Sequence, residues 1–300
     1  MEQIKNNLLC VEVSAKGAEL QSIKNAKGEE YLWQGDPQYW HRRSPLLFPI
    51  IGGLAGGEYR LHGHTYKMGK HGFLRDAAFT LVAQGEHQLT YAIHESEETL
   101  RQYPFPFNLG VTYKLTGNRI DVIWHIENTG HEPMFFQIGG HPAFLIPGWK
   151  AGKPLKARIR IDNKAPKKLS ISDHGLLLFG HHDINYGLPE TDPQLFDAAT
   201  GTINASTHTF DADALIFDES QVSRLQLLEL TGEPRVTVDI KSPAVGIWSP
   251  TGMDAPFVCI EPWYGICDMD EYAGEFSDKY LMNRLLPGAS FMASYHITIH

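Results

Sequence analysis

The chain has 300 residues, of which 42% are hydrophobic and 20% charged, and its formal net charge at pH 7 is -9. This balance predicts a globular protein and argues against a disordered or fibrous chain. An acidic chain of this kind lacks the clustered Lys and Arg that bind phosphate backbones, so we expect no nucleic acid partner. It contains no uninterrupted run of about twenty apolar residues, so we also expect no membrane partner.

The N-terminal segment and the cysteines bear on the compartment. The first thirty residues lack the uninterrupted apolar core of a signal peptide. The three cysteines, Cys10, Cys259 and Cys267, are odd in number and have no CxxC spacing, so neither a disulfide framework nor a cysteine zinc site is indicated. Both features predict a cytoplasmic protein.

Strand patterns begin at LLCVEVSA and continue to the C-terminus. The segments 78–94 and 110–130 alternate apolar and polar residues on both sides of a short turn, which predicts two β-hairpins. In the second hairpin, one face is expected to carry Ile120, Val122, Trp124 and Ile126. Further strands are predicted at PRVTVDI, AVGIWS, FVCIE and SYHITIH.

Helical patterns are few. Ser96 is predicted to cap a short EETLRQY helix, and DPQYWHR to form one turn after Asp36. Residues 149–205 are rich in Gly, Pro, Asp and Asn, which predicts long loops that decorate a sheet. The predicted fold is therefore all-β: a large antiparallel β-sandwich with few short helices, forming a single domain over residues 1–300.

The segment QIGGHPAFLIPG places His141 between two glycines and a proline. Pro142 favours an extended conformation at His141, and the absence of Cβ atoms at Gly139 and Gly140 is expected to let another molecule approach the backbone. An imidazole held in this way serves as an acid, a base, a metal ligand or a turn residue. The local sequence leaves these alternatives open.

The segment FVCIEPWYGICD predicts a buried strand, Phe257 to Ile260, that ends at Glu261 because Pro262 stops the ladder. A carboxylate at the end of an apolar strand is paired, solvated at a cleft or raised in pKa, and the last condition suits a general base. The alternative is a structural ion pair with a buried arginine. Trp263 offers a flat face on which a sugar ring could stack.

In KHGFLRDAAF, an extended chain would place His71, Phe73 and Arg75 on one side. Two polar donors flanking an aromatic ring suit a hydroxyl-rich or anionic ligand. The alternative is that Arg75 pairs with Asp76 or another surface carboxylate and that His71 is a turn residue.

Neither a metal site nor a P-loop phosphate cradle is expected. The histidines of HGH at 62–64 and HH at 181–182 are accompanied by no HExxH motif, so we interpret them as surface residues and expect neither a metal nor an organic cofactor. The stretch PIIGGLAGGEY lacks the Lys-Ser/Thr end of a P-loop and predicts a turn between strands. No GxSxG nucleophile motif occurs.

Five segments together resemble the aldose 1-epimerase, or galactose mutarotase-like, family, and most closely its bacterial LacX-like branch: SPLLFPIIGGL, HGFLRD, GGHPAF, DADALIF and IEPWYGICD. The resemblance extends from about the KGAEL segment to the C-terminus. It implies a galactose mutarotase-like supersandwich whose concave face binds a monosaccharide. It also implies a cofactor-independent isomerase that interconverts the α and β anomers of a hexose.

The resemblance also implies residue roles. His141 matches the family's general acid and Glu261 its general base, while His71 matches a histidine that contacts the sugar near its ring oxygen. Asp213 resembles the sugar-binding aspartate, with Asp211 as the alternative.

One departure bears on the substrate. Typical members carry a sugar-binding arginine where this chain has Gly52-Gly53, so the contact is either lost or supplied by Arg75, which resembles the arginine of the HGF-type branches, or by Arg42 or Arg43. The basic run His41–Arg43 would suit a phosphate. A hexose-6-phosphate 1-epimerase and a non-catalytic carbohydrate-binding protein therefore remain alternatives, and a monomer or a homodimer is expected.

Overall fold

The computed structural model describes residues 1–152, 157–187 and 195–300. Within these ranges the chain forms 25 strands, one short α-helix and three 3₁₀ turns, which confirms the predicted all-β fold. The same ranges contain no helix long and apolar enough to cross a membrane.

The first eight strands are β1 (Glu2–Lys5), β2 (Leu9–Val13), β3 (Leu20–Asn25), β4 (Leu46–Leu47), β5 (Glu58–Leu61), β6 (His64–Lys67), β7 (Thr80–Gly85) and β8 (Gln88–His94). The next nine are β9 (Phe107–Thr116), β10 (Arg119–Asn128), β11 (Met134–Phe136), β12 (Ile138–Gly140), β13 (Ala143–Leu145), β14 (Ala157–Ile161), β15 (Lys167–Ile171), β16 (Leu177–Asp183) and β17 (Phe196–Asp197). The last eight are β18 (Thr202–Ala205), β19 (Leu215–Phe217), β20 (Arg224–Leu228), β21 (Pro234–Asp239), β22 (Ala244–Trp248), β23 (Phe257–Tyr264), β24 (Asn283–Leu285) and β25 (Ser290–Ile299).

Helical structure is limited to α1 (Glu97–Gln102) and 3₁₀ turns at Ala55–Gly57, Leu74–Asp76 and Phe276–Asp278. As predicted, Ser96 caps α1, since its side chain accepts a hydrogen bond from the backbone N–H of Thr99. The predicted turn after Asp36 is present, because the N–H of Trp40 donates to the carbonyl of Asp36 at 3.0 Å.

Two large antiparallel sheets dominate the fold. The ten-stranded sheet has the order β17, β18, β14, β20, β21, β25, β10, β9, β8, β7, and both predicted hairpins lie at one end of it as β7–β8 and β9–β10. The second sheet has eight strands in the order β16, β15, β19, β22, β23, β12, β4, with β13 also paired to β23. Smaller sheets join β1–β2–β3, β5–β6 and β11–β24.

The two large sheets share one hydrophobic core. The face of β10 predicted from its alternation, which includes Trp124, is buried in the same cluster as Val258 and Ile260 of β23. The ring of Trp124 also contacts that of Tyr264, with centroids 6.4 Å apart. Because side chains alternate along a strand, the intervening residues of β23 point to the opposite face of the eight-stranded sheet.

Strand β23 is longer than predicted. It does not end at Glu261 but runs through Pro262 to Tyr264, paired with β22 as far as Trp263. On its other side the ladder is interrupted between β12 and β13. A proline is tolerated beside such an interruption because fewer ladder hydrogen bonds depend on its missing N–H.

The prediction of long loops over residues 149–205 was wrong. Strands β14 to β18 lie in the described parts of this region, and β14, β17 and β18 form one edge of the ten-stranded sheet. These strands are short and are separated by turn-forming residues, which obscured their alternating pattern in the sequence. Strand β14 (ARIRI) does alternate buried with more exposed residues.

A buried ion pair joins two loops beside the eight-stranded sheet. Lys279 Nζ contacts Asp268 Oδ1, and both side chains are 2% exposed. The second carboxylate oxygen of Asp268 accepts the N–H of Ala55 at 2.9 Å, and the N–H of Asp268 donates to the carbonyl of Gly53 at 3.0 Å. This pair therefore fixes the segment 53–55 against the chain that follows β23.

We expect Lys279→Met to lower the free energy of unfolding by about 3–5 kcal/mol, because it leaves the Asp268 carboxylate buried without its cation. The double variant Asp268→Asn/Lys279→Met should recover much of the loss. Urea unfolding measures both, with Lys114→Met, at an exposed position of β9, as the control expected to stay within about 0.5 kcal/mol. Equal losses in the single and the double variant would contradict this account.

Candidate active site

A cavity of about 180 Å³ lies on the face of the eight-stranded sheet that points away from the ten-stranded sheet. All six site residues predicted from the sequence line it: His71, Arg75, His141, Asp213, Glu261 and Trp263. Its wall also contains Trp40, Lys70 and Trp248, which the sequence analysis did not single out as site residues.

Strand register brings His141 and Glu261 together. Strand β12 pairs Gly139 with Trp263, and β13 pairs Ala143 with Cys259. Continuing either register inward places His141 opposite Glu261, at the interruption between the two short strands. Side chains at opposed positions of an antiparallel pair project from the same face, so a histidine and a carboxylate 120 residues apart in sequence become neighbours.

The two side chains are in direct contact and buried. His141 Nε2 lies 3.2 Å from Glu261 Oε2, and the residues are 7% and 1% exposed. Burial lowers the pKa of His141 to about 3, and the cations Lys70, Arg75 and Arg42 act in the same direction. Burial, followed by the nearby Asp213 carboxylate, raises the pKa of Glu261 well above its usual range. Both shifts favour the uncharged forms of the pair.

Aromatic rings surround His141. The ring of Trp40 lies 4.8 Å from the imidazole between centroids, and those of Trp248 and His71 each lie 5.6 Å away. Trp40 comes from the turn after Asp36 and Trp248 from the end of β22. Neither tryptophan lies in a motif, so their place in the cavity wall becomes visible only when the fold brings distant segments together.

The glycines before His141 have a different role from the predicted one. A Cβ at Gly139 would lie 2.9 Å from the indole of Trp263, and one at Gly140 would lie 3.0 Å from the hydroxyl of Tyr295. Gly246 on β22 is equally constrained, since its Cβ would lie 2.6 Å from Trp263. These glycines make room for the protein's own rings, and Trp263 is held between the backbones of two neighbouring strands.

His71 is fixed by reciprocal bonds to Gly52. The N–H of Gly52 donates to His71 Nδ1 at 3.1 Å, and the N–H of His71 donates to the Gly52 carbonyl at 2.8 Å. In the neutral ring this leaves the proton on Nε2. Burial, followed by the neighbouring His141, lowers the pKa of His71, which favours that neutral form.

The segment around His71 is not extended, so that part of the prediction was wrong. His71 has a φ of +67°, and Leu74–Asp76 form a 3₁₀ turn. Phe73 packs against the main core, whereas His71 and Arg75 reach the cavity. The turn thus brings together two polar groups that an alternating strand would have separated by an aromatic ring.

The three arginines considered in the sequence analysis differ in their partners. Arg42 binds Asp76 through both Nη atoms, with Nη2 2.9 Å from Oδ2. Arg75 Nε lies 3.9 Å from the same carboxylate and has no hydrogen-bond partner among the described residues. Arg43 donates to Gln21 and Gln34 and, like Arg42, is not part of the cavity wall.

The two aspartates proposed as alternatives are also distinguished by position. Asp213 lines the cavity, has a φ of +69° and lies 3.3 Å from Lys70 Nζ. Asp211 instead accepts from His208 Nδ1 at 2.9 Å and lies outside the cavity wall. A positive φ at a non-glycine residue is costly and concentrates at functional sites, and both His71 and Asp213 show it.

Buried polar atoms without partners concentrate in this cavity. Five such side-chain atoms occur in the described residues, and four belong to the cavity wall: Arg75 Nε, His141 Nδ1, Glu261 Oε2 and Trp263 Nε1. Buried polar groups in native proteins are nearly always hydrogen-bonded. Donors and acceptors left free beside flat aromatic faces suit a small ligand with many hydroxyl groups.

The histidine pairs flagged in the sequence do not meet in one site. His62 lies in the turn between β5 and β6, 4.0 Å from Glu132. His181 Nε2 is 2.7 Å from the buried Asp218, and together with Glu219 these residues are close enough to hold a cation. A second such group consists of His141, Cys259 and Glu261.

The sheet order, the shared core and the polar, tryptophan-lined cavity define a β-sandwich of the galactose mutarotase-like fold. A sequence profile of the aldose 1-epimerase family matches residues 2–272, and the chain belongs to that family. It is 31% identical to the chromosomal LacX protein of Lactococcus lactis subsp. lactis, over 99% of this chain and 98% of the relative.

Two solved structures are similar over the whole chain. One is a galactose mutarotase related enzyme from Lactobacillus acidophilus, 33% identical, with a TM-score of 0.89 over 100% of this chain and 97% of the other. The other is a galactose mutarotase-like protein from Lactobacillus casei, 30% identical, with a TM-score of 0.90 over 100% of both chains. They confirm the predicted fold, and the LacX relative supports the predicted LacX-like branch.

Gly246→Ala is expected to displace Trp263 and to lower the free energy of unfolding by about 1–3 kcal/mol through overpacking. Tryptophan fluorescence and urea unfolding measure the two effects. Gly110→Ala is the matched control, because a Cβ there meets nothing closer than 3.9 Å. A Gly246→Ala protein as stable as the control, with unchanged fluorescence, would contradict the described packing of Trp263.

Proposed function

We propose that this protein is an aldose 1-epimerase that interconverts the α and β anomers of a free hexose, acting in the cytoplasm. The observation that supports this most directly is the buried contact between His141 and Glu261, in a cavity where Arg75 Nε and Trp263 Nε1 also lack hydrogen-bond partners among the described residues. Membership of the aldose 1-epimerase family makes the same reaction the natural one for this pair.

The reaction needs an acid and a base at adjacent oxygens. Ring opening removes the proton from the O1 hydroxyl and adds one to the ring oxygen O5, and rotation about C1–C2 before reclosure gives the other anomer. Both oxygens are bonded to C1, so an acid and a base that stand side by side can address them together. The 3.2 Å contact of His141 with Glu261 suits this arrangement better than groups on opposite walls would.

The pair begins with one mobile proton. The raised pKa of Glu261 and the lowered pKa of His141 favour that proton on the carboxyl group. Its transfer to the imidazole gives the carboxylate that takes the O1 proton and the imidazolium that protonates O5. The two groups are buried and only 3.2 Å apart, so a small reorientation of either side chain would allow direct transfer.

The remaining wall residues are assigned to binding. His71 offers its Nε2–H to an oxygen near the ring, Arg75 offers its free Nε–H, and Asp213 accepts from sugar hydroxyls. Trp263 supplies an apolar face for the C–H side of the pyranose. Arg75 replaces the arginine that typical members place where Gly52-Gly53 lie, while Gly52 holds His71 in position.

A hexose 6-phosphate is the second candidate substrate, because Arg75 and Lys70 both line the cavity. A free hexose is favoured by the existing partners of the nearby cations, since Lys70 pairs with Asp213 and Arg42 pairs with Asp76. A binding protein without turnover would need the same wall but would not need the His141–Glu261 contact.

Glu261→Gln should lower kcat about 10²- to 10⁴-fold with little change in sugar affinity, because it removes the base and keeps the shape. The approach of fresh α-D-glucose, α-D-galactose and α-glucose 6-phosphate to anomeric equilibrium, followed by polarimetry or proton NMR, measures the rate. Acceleration of the phosphorylated sugar alone would establish the second candidate. If the wild type bound sugar but did not accelerate the mutarotation of any of the three, the proposed epimerase activity would be excluded.

Asp213→Asn should raise KM, because a carboxylate acceptor in the cavity is lost, whereas Asp211→Asn should leave KM and kcat unchanged. Asp211 is the matched control, since it lies two residues away and pairs with His208 outside the cavity. Steady-state mutarotation at varied sugar concentration distinguishes the two. A larger KM for Asp211→Asn than for Asp213→Asn would reverse the assignment of the sugar-binding aspartate.

A further inference from the structure

The thiol of Cys259 lies beside the His141–Glu261 pair. It precedes Glu261 by two residues on β23, so both side chains project from the same face of the sheet. The thiol sulfur, a carboxylate oxygen of Glu261 and a ring nitrogen of His141 all lie within 4.8 Å of one another. The three residues are 0%, 1% and 7% exposed.

We infer that Cys259, Glu261 and His141 form an inhibitory binding site for a thiophilic divalent cation of the Zn²⁺ class. Thiolate, imidazole and carboxylate are the ligands that Zn²⁺ prefers, and three protein ligands leave a fourth position for a small molecule. That fourth position is reached from the cavity, because His141 and Glu261 both line it.

The distances fit one small ion. With Zn–N and Zn–O bonds of about 2.0–2.2 Å, two ligands of a tetrahedral ion are about 3.3 Å apart. The His141 Nε2 and Glu261 Oε2 atoms are 3.2 Å apart already. Only the sulfur, within 4.8 Å of both, has to approach, and Zn–S bonds of about 2.3 Å need a small side-chain adjustment.

The charges and the hydrogen bonding fit as well. Apart from its 3.2 Å contact with His141 Nε2, the buried Glu261 Oε2 has no hydrogen-bond partner among the described residues, so a cation bound between these two atoms would displace no other bond of Oε2. Zn²⁺ with one thiolate, one carboxylate and one neutral imidazole has no net charge, which limits the cost of burial. The thiol proton and the carboxyl proton of Glu261 are both released to solvent when the Zn–S and Zn–O bonds form.

Such an ion would occupy the acid and the base at once and would therefore block anomer exchange. This consequence depends on the proposed function, whereas cation binding itself does not. No CxxC or HExxH spacing marks the site, because two of its ligands lie on one strand and the third lies opposite them.

Cobalt(II) tests the site without any assay of turnover. Titration of the wild-type protein with Co²⁺ should give a tetrahedral visible spectrum and a near-ultraviolet thiolate-to-cobalt band, both abolished by equimolar Zn²⁺. Cys259→Ser and Cys259→Ala should lose the thiolate band and weaken Zn²⁺ binding by at least about 10- to 100-fold. Thermal unfolding shows that each variant is folded.

The other cysteines are the matched controls. Cys267→Ser removes a thiol of the same cavity wall that lies outside the three-residue group, and Cys10→Ser removes a partly exposed one. Both should keep the thiolate band. Loss of the band in Cys267→Ser, its persistence in both Cys259 variants, or no band in the wild type would overturn the assignment.

Mutarotation then tests inhibition separately. Zn²⁺ should slow the wild type reversibly, and chelation should restore the rate, while Cys259→Ala should retain its rate in the presence of the same Zn²⁺ concentration. A thiolate band together with uninhibited turnover would leave the binding site standing and remove its inhibitory role. If the protein showed the band but no mutarotation, the proposed function would be contradicted and the cation site would stand.

Discussion

The pairing of β23 with two separate short strands is the constraint on which the site depends. Strands β12 and β13 continue one register along β23, and the gap between them lies where His141 faces Glu261. In an unbroken ladder this position would be an ordinary cross-strand pair. Here the chain leaves the ladder and returns to it in the same register, so a histidine and a carboxylate meet on the face of the sheet that lines the cavity.

Burial then determines the chemistry of the pair. A charged group moved from water into an apolar wall is disfavoured, so burial raises the pKa of the carboxyl group and lowers that of the imidazole. Each residue would be a weak acid or base by itself, but their contact lets one proton serve both. The same burial and proximity give the Cys259 sulfur access to the pair. The proposed reaction and the proposed metal site therefore both depend on the geometry of β23.

Much of the fold could be predicted from sequence because alternation is a local property. The hairpins β7–β8 and β9–β10 and the buried face of β10 follow directly from period-two patterns. Strands β14 to β18 were missed because glycine, proline and asparagine separate them into pieces too short to show a period. The end of β23 was misplaced because the cost of a proline depends on neighbouring strands that local sequence does not reveal.

Part of the candidate site could also be predicted, because the motifs that carry it are local stretches of sequence. All six predicted residues line the cavity, since motif resemblance identifies positions without needing the fold. The contact between His141 and Glu261 depends on register across 120 residues, and Trp40 and Trp248 reach the wall from segments with no motif. The glycines before His141 were assigned to the ligand, although steric contacts with Trp263 and Tyr295 require them.

The confinement of Trp263 has a consequence for the thermodynamics of recognition. Its indole is wedged between Gly139 and Gly246, so it has little rotational freedom to lose when a ligand arrives. Ordering a side chain on binding commonly costs about 0.5–1.5 kcal/mol, and this ring avoids that cost because folding has already ordered it. This part of the aromatic wall is thus preorganised, and a ligand that contacts it would not have to order the ring.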